Sequence, residues 1–139
     1  MEDLHLSFEI VDDMGRAGEA SSSVKQTLRK MGFDSDTIRR VSVCMYEGEI
    51  NMVIHADGGT ACVDIGLDEI RIELRDIGPG IPDIEKAMQE GYSTADTDAR
   101  SLGFGAGMGL PNMKKNSDEM SIDTTVGTGT TVTMVIRVK

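Results

Sequence analysis

Four groups of residues stand where an ordinary core would not put them. Glu47 and Asn51 lie one helical turn apart inside a wide apolar arc, with His55 beside them. At about 100° per residue, Val43, Ile50 and Ile54 fall on one side of Glu47. Cys44, Gly48, Val41, Met52 and Met45 fall on the other, and Glu49, Val53, Tyr46 and Arg39 are expected to face solvent. A Glu and an Asn on a buried face are costly unless they are paired or turned toward a cavity. The pair therefore reads either as a salt-bridge or cap network or as one wall of a binding site. The second group ends a strand: Ile70, Ile72 and Leu74 share a core face, and the same parity puts Asp76 there, followed by Gly78 and Gly80. Such a carboxylate can accept from a buried donor such as a purine amine, or bond its own turn. Third, Thr130 follows Gly129 on the core face of the last strand and can join Asp76 if the two strands are neighbours. Fourth, Gly103, Gly105, Gly107 and Gly109 alternate with other residues and run into a helix at Leu110. Their free N–H groups beside a helix N-terminus suit an anion, phosphate above all.

The elements that must position these residues follow from apolar spacing. Leu4, Leu6, Phe8 and Ile10 alternate as a strand, and a helix is expected from about Gly15 to Met31. A second long helix, capped by Ser35 or Asp36, runs to about Ala56 and stops at Asp57-Gly58-Gly59. Ala61–Ile65 and Ile70–Leu74 form a hairpin, Asp83–Gln89 a short helix, and Tyr92–Ala106 a loop without period. A helix over about Gly107–Asn116 then needs Pro111 in its first turn. Met120–Val126 and Thr130–Val138 close the chain as a second hairpin. The expected architecture is an α/β, or α+β, two-layer sandwich: a mixed, mostly antiparallel sheet with its helices on one face.

The chain has 139 residues, close to the roughly 150 of one domain, so residues 1–139 are read as a single domain. Lys plus Arg is 14 against 24 for Asp plus Glu, a net charge of −10, which argues against nucleic-acid and anionic-membrane partners. Cys44 and Cys62 make no disulfide framework or metal knuckle. No apolar run approaches the roughly 20 residues that cross a bilayer, and the acidic start is unlike a signal peptide. A cytoplasmic protein is expected. The chain contains no P-loop, no G-x-G-x-x-G and no H-R-D or D-F-G sequence, so an ordinary protein kinase is excluded.

In order, Glu47-x-x-x-Asn51, Asp76-x-Gly78-x-Gly80, the glycine segment to Gly109 and Gly129-Thr130-Thr131 resemble the N, G1, G2 and final boxes of the GHKL ATPase superfamily. Asp76–Asp83, Gly91–Thr94 and Gly107–Pro111 carry the resemblance furthest, toward the bacterial anti-sigma-factor serine/threonine kinases of the switch type. The resemblance implies a histidine-kinase-like ATPase fold binding ATP and Mg²⁺. It makes Glu47 the general base and Asn51 the metal ligand, with His55 nearby. Asp76 would accept from the adenine amine, and Thr130 would share a water with the same ring. Gly78, Gly80 and Ile81 would line the nucleotide, and Ser93 and Thr94 would approach it from a lid. Gly105, Gly107, Met108, Gly109 and Leu110 would hold the phosphates. Arg100 would either meet the γ-phosphate or stay solvated, and Asp96 and Asp98 make the lid longer and more acidic than a minimal one.

The activity so implied is Mg-ATP-dependent phosphorylation of a small anti-sigma antagonist protein. A sigma factor or phosphatase stands as a further partner, and a homodimer is left open. Two alternatives remain: a switch that uses ATP to sequester or activate a partner, and the ATPase domain of a histidine kinase. The latter needs an upstream phosphoacceptor His on a helical hairpin, which is not expected in this chain.

Overall fold

Alternating apolar residues form the strands where their spacing puts them. In the computed structural model, which describes residues 4–11, 13–55, 58–78 and 109–138, β1 spans Leu4–Ile10, β2 Gly59–Ile65 and β3 Glu69–Asp76. β4 spans Glu119–Thr125 and β5 Gly129–Arg137. They form one five-stranded sheet in the order β1-β2-β3-β5-β4. All four pairings are antiparallel, so the mixture of senses expected from the element order does not occur among the described residues. The β2–β3 and β4–β5 hairpins require antiparallel neighbours. The two helices between β1 and β2 return the chain to the end at which β1 finished, pairing Ile10 with Gly59.

The helices are α1 (Glu19–Met31), α2 (Ser35–His55) and α3 (Gly109–Asn116). They cover the sheet face carrying Val63, Ile72 and Met134, all fully buried. The opposite face is polar, with His5 paired to Asp64 across β1 and β2, and Arg75 to Glu73 along β3. Three local expectations change. The helix expected from Gly15 divides into a single 3₁₀ turn, Met14–Arg16, and α1, because Gly18 leaves the helical conformation at φ 100°. The cap of α2 is Asp34, whose carboxylate accepts from the Thr37 N–H at 3.0 Å and the Thr37 hydroxyl at 2.6 Å. Those two bonds hold the Asp34 carboxyl below its ordinary range.

The third change is the largest. Glu49 and Val53, expected at the surface, are buried at 2% and 5% exposure. α2 is covered on three sides, by α1, by α3 and by β3 and β5, so its buried arc is wider than one sheet-facing stripe. α1 begins at Gly18 without a side-chain cap of its own. Glu49 supplies it from α2: its carboxylate accepts from Gly18 N–H at 2.9 Å, Ala20 N–H at 3.3 Å and Ser21 N–H at 3.1 Å. A buried negative charge is stable there because helix-start donors and the helix dipole face it. On the sheet side, a Cβ at Gly48 would lie 2.0 Å from Leu74 Cδ1, so any side chain there would have to displace the buried Leu74 side chain.

Glu49→Ala is expected to lower unfolding free energy by about 2–4 kcal/mol, since charged hydrogen bonds and a helix cap are lost together. Urea titration followed by circular dichroism measures it, with a loss below about 0.5 kcal/mol contradicting the capping role.

Candidate functional site

Glu47 and Asn51 lie at the edge of α2 that faces α3, each half-buried. Glu47 Oε1 accepts from Asn112 Nδ2 of α3 at 3.5 Å. Asn51 packs against the first residue of α3: a Cβ on Gly109 would stand 2.9 Å from both terminal atoms of the Asn51 amide. Glycine at 109 therefore lets the N-terminus of α3 come down on Asn51. The far end of α3 is pinned to α2. Arg40 Nε donates to Asn116 O at 3.2 Å, Arg40 Nη2 donates to Asp118 Oδ2 at 3.0 Å, and Arg39 Nη1 donates to Asn116 Oδ1 at 3.0 Å. The Arg137 N–H, aided by Arg40, holds the Asp118 carboxyl below its ordinary range. Cys44 lies under this contact and donates to Met113 O at 3.6 Å, its thiol pushed up to about 12 by burial. It is a core residue with no nucleophilic role.

Asp76 closes β3, and its neighbours on both sides are glycines. Gly59 of β2 pairs with it directly, and Gly129 of β5 lies against its carbonyl. Both have φ 151°, and a Cβ would meet Arg75 O at 2.1 Å from Gly59 and Asp76 O at 2.3 Å from Gly129. Only glycine fits such an approach of backbone to backbone. The Asp76 carboxylate accepts from the Thr130 N–H at 2.7 Å. The expected meeting of Asp76 and Thr130 thus occurs, but through the backbone; the Thr130 hydroxyl is 2.9 Å from that of Thr124. Burial pushes the Asp76 carboxyl above its ordinary range, against the opposing Thr130 bond. After Asp76, Ile77 N–H donates to Gly58 O and Gly78 N–H to Thr128 O, which stitches the start of the following loop to both flanking strands.

The two halves of the site are tied together at Met52, the residue after Asn51. A Cβ on Gly59 would stand 2.8 Å from Met52 Cε and 2.7 Å from Asp76 Cα. The described site therefore offers a half-buried carboxylate at the end of β3, a carboxylate and an amide on α2, and a helix N-terminus set against that amide. Leu110 is buried in the core rather than turned outward. His55 closes α2 in the chain trace, but its side chain lies outside the described residues. So do Gly80, Ile81, Ser93, Thr94, Gly105, Gly107 and Met108, together with Arg100, the short helix expected over 83–89 and the loop over 92–106. Glu49, Gly59, Asn112 and Thr124 were not singled out from the sequence. A signal existed for Glu49, because a helix opening Ala17-Gly18-Glu19 has no side chain able to cap it.

The fold is that of a histidine-kinase-like ATPase domain. The family described as histidine kinase-like ATPase domain matches residues 10–136, and the chain belongs to it. Among curated proteins, the serine/threonine-protein kinase RsbT of Bacillus subtilis (strain 168) is 31% identical over 112 residues, 78% of either chain. An anti-sigma F factor of Thermoanaerobacter sp. (strain X514) is 35% identical over 100 residues, 72% of this chain and 62% of that protein's length. The solved RsbU and RsbW domains of Rv1364c from Mycobacterium tuberculosis superpose with a TM-score of 0.61 at 18% identity, over 99% of this chain and 33% of that one. The mycobacterial sensor histidine kinase MprB gives 0.54 at 16% identity, over 98% and 99%. These two likenesses are of fold.

The glycine contacts differ in what a methyl group would strike. Gly129→Ala meets a backbone carbonyl at a positive φ and is expected to cost about 2–4 kcal/mol. Gly109→Ala meets the end of a side chain that can swing, so its cost stays at or below about 1 kcal/mol, while the Asn51 side-chain amide resonances move. Urea denaturation and ¹⁵N–¹H spectra check both, and equal costs would contradict this description of the two contacts.

Proposed function

We propose that this chain is a Mg-ATP-dependent protein serine/threonine kinase whose phosphoacceptor is a small anti-sigma antagonist protein. The observation that carries the reading is the packing of Gly109 on Asn51. It brings the N-terminus of α3 onto the edge of α2 that also bears Glu47. Phosphoryl transfer asks a protein for anion-binding donors, a metal ligand and a base, and little covalent chemistry. Asp76 is the acceptor for the adenine amine, held by Gly59, Gly129 and the Thr130 N–H. Asn51 is the protein ligand to Mg²⁺: its amide oxygen is a hard neutral donor, half-buried beside a helix start where phosphates are favoured. The ion, when bound, neutralises phosphate charge. Glu47 takes the proton of the attacking serine or threonine hydroxyl as the oxygen bonds to the γ-phosphorus and ADP leaves. Asn112 steadies that carboxylate.

The similarity to RsbT and to an anti-sigma F factor supports a place in partner switching, with a sigma factor or phosphatase as a further partner. It supports equally a role in which the nucleotide sets the conformation that a partner binds. Glu47→Gln separates the two. Transfer of labelled phosphate to the partner is expected to fall at least about 100-fold, the scale of a lost general base, while ATP affinity stays within about threefold. Partner regulation that survives this loss in cells would make binding, rather than transfer, the working function.

Asp76 yields a pH dependence of opposite sign for binding and for stability. Its folded pKa is raised by burial, so the ionised form opposes folding above the unfolded pKa, and that penalty is relieved as pH falls through the folded pKa. The amine of adenine needs the ionised form. Nucleotide affinity is therefore expected to weaken on acidification from a higher pH than an ordinary aspartate would give. Asp76→Asn keeps an oxygen for the Thr130 N–H, so it is expected to fold with undiminished stability and to bind ATP at least about tenfold more weakly, the scale of a charged hydrogen bond. Calorimetric titration across pH tests both statements, and wild-type affinity in Asp76→Asn refutes the role of Asp76.

A further inference from the structure

We propose that the end of the helical layer opposite Asn51 and Asp76 is a docking surface for an acidic partner protein, held by Arg29 and Lys30 of α1 and Lys114 and Lys115 of α3. α1 runs antiparallel to α2, since residues 32–34 join the end of one to the start of the other. α3 also ends beside the start of α2, where Arg39 and Arg40 bond Asn116. The last turns of α1 and α3, which carry these four cations, therefore flank the first turns of α2. Gly18, Gly109 and Asn51 lie at the other end of the layer. Docking at the basic end leaves that other end uncovered and does not depend on phosphate transfer.

Charge is divided unevenly in this chain. After Glu19, which pairs with Arg16, α1 holds Lys25, Arg29 and Lys30 and no acidic residue, and α3 holds Lys114 and Lys115 and none. The nine other cations share the rest of the chain with all 24 acidic residues. Arg29, Lys30, Lys114 and Lys115 are exposed, and no carboxylate among the described residues pairs with Arg29, Lys30 or Lys114. Cations in a last turn complement the helix dipole, which explains their place on each helix but not the lack of acids beside them. A face that only met water would interleave the two signs at i,i+4, whereas Lys25 and Arg29 repel at that spacing. An acidic protein is repelled by the rest of the chain and attracted here, so the charge distribution selects one orientation and speeds encounter. The sheet half of the same end is acidic and exposed, with Asp68 and Glu69 at the β2–β3 turn. A duplex or an anionic bilayer is an extended polyanion and would face those carboxylates as well. A compact protein surface can meet the helix ends alone.

The test titrates the ¹⁵N-labelled full chain with a short glutamate-rich helical peptide, its glutamine counterpart serving as the uncharged control. Amide shifts are expected over residues 25–31 and 113–116 and not around Asn51 or Asp76, with the affinity falling about tenfold between about 0.05 and 0.5 M salt. Lys30→Glu combined with Lys114→Glu is expected to weaken the peptide at least about tenfold. Arg16→Glu combined with Arg71→Glu changes the net charge equally on other exposed faces and is expected to stay within about twofold of wild type. Should a double variant lose its helical circular dichroism, the single reversals Lys30→Glu and Arg71→Glu make the same comparison. Equal losses in the two variants, or shifts spread over both ends of the molecule, would reduce the effect to net charge and overturn the proposal. The absence of binding at low salt would overturn it too. Tighter binding of phosphatidylglycerol vesicles or of a DNA duplex than of the peptide, lost on reversal of Lys30 and Lys114, would overturn the choice of a protein partner.

Discussion

The seating of the Leu74 side chain of the central strand in the space left free at Gly48 of α2 is the constraint on which the other contacts rest. With Leu74 filling the space where a Cβ would be, α2 lies deep enough between α1 and α3 for both to pack on its flanks. Each flank is then fixed by a polar contact suited to a helix end. The α1 start is held by Glu49, and the α3 end by Arg39 and Arg40. What remains exposed of α2 is a narrow strip that includes Tyr46 and Arg39. Glu47 and Asn51 are half-buried because they lie at the seam with α3, where the packing of Gly109 leaves the amide of Asn51 at a helix start.

The second constraint lies in the sheet. A charged side chain at the end of a central strand is expensive to bury, and its raised pKa records that cost. The fold offsets part of it with one strong donor, the Thr130 N–H. Gly59 and Gly129 make this possible by letting two strands close on the Asp76 backbone from both sides. The same closeness sets Met52 against Gly59, so that the residue following Asn51 meets the strand end carrying Asp76. Backbone proximity, rather than a chain of side chains, connects the two halves of the site.

Charge bears on partners as well as on the site. On the proposed reading, a chain of net charge −10 would hold phosphates with backbone donors, helix starts and a metal ion instead of surface lysines. A net charge of that sign opposes association with nucleic acid.

Strand boundaries, the two hairpins, the long second helix and the place of Pro111 were legible because period-2 and period-3.6 patterns depend only on local geometry. Glu47, Asn51, Asp76 and Thr130 were legible for a related reason: each puts a polar group on a face that spacing alone marks as apolar. Glu49 was not, since one helical wheel assumes one buried face, and α2 has three covered sides. Gly59 looked like a helix stop, and its approach to Asp76 exists only once β2 lies against β3. Asn112 and Thr124 are ordinary residues of a helix and a strand until a neighbouring element brings Glu47 and Thr130 to them. The sequence by itself determined which segments are helix or strand and which positions set a polar group on an apolar face, because those follow from local spacing and residue type. The tertiary structure decided which donors meet which carboxylates, because hydrogen-bond partners dozens of residues apart are chosen by how the elements pack.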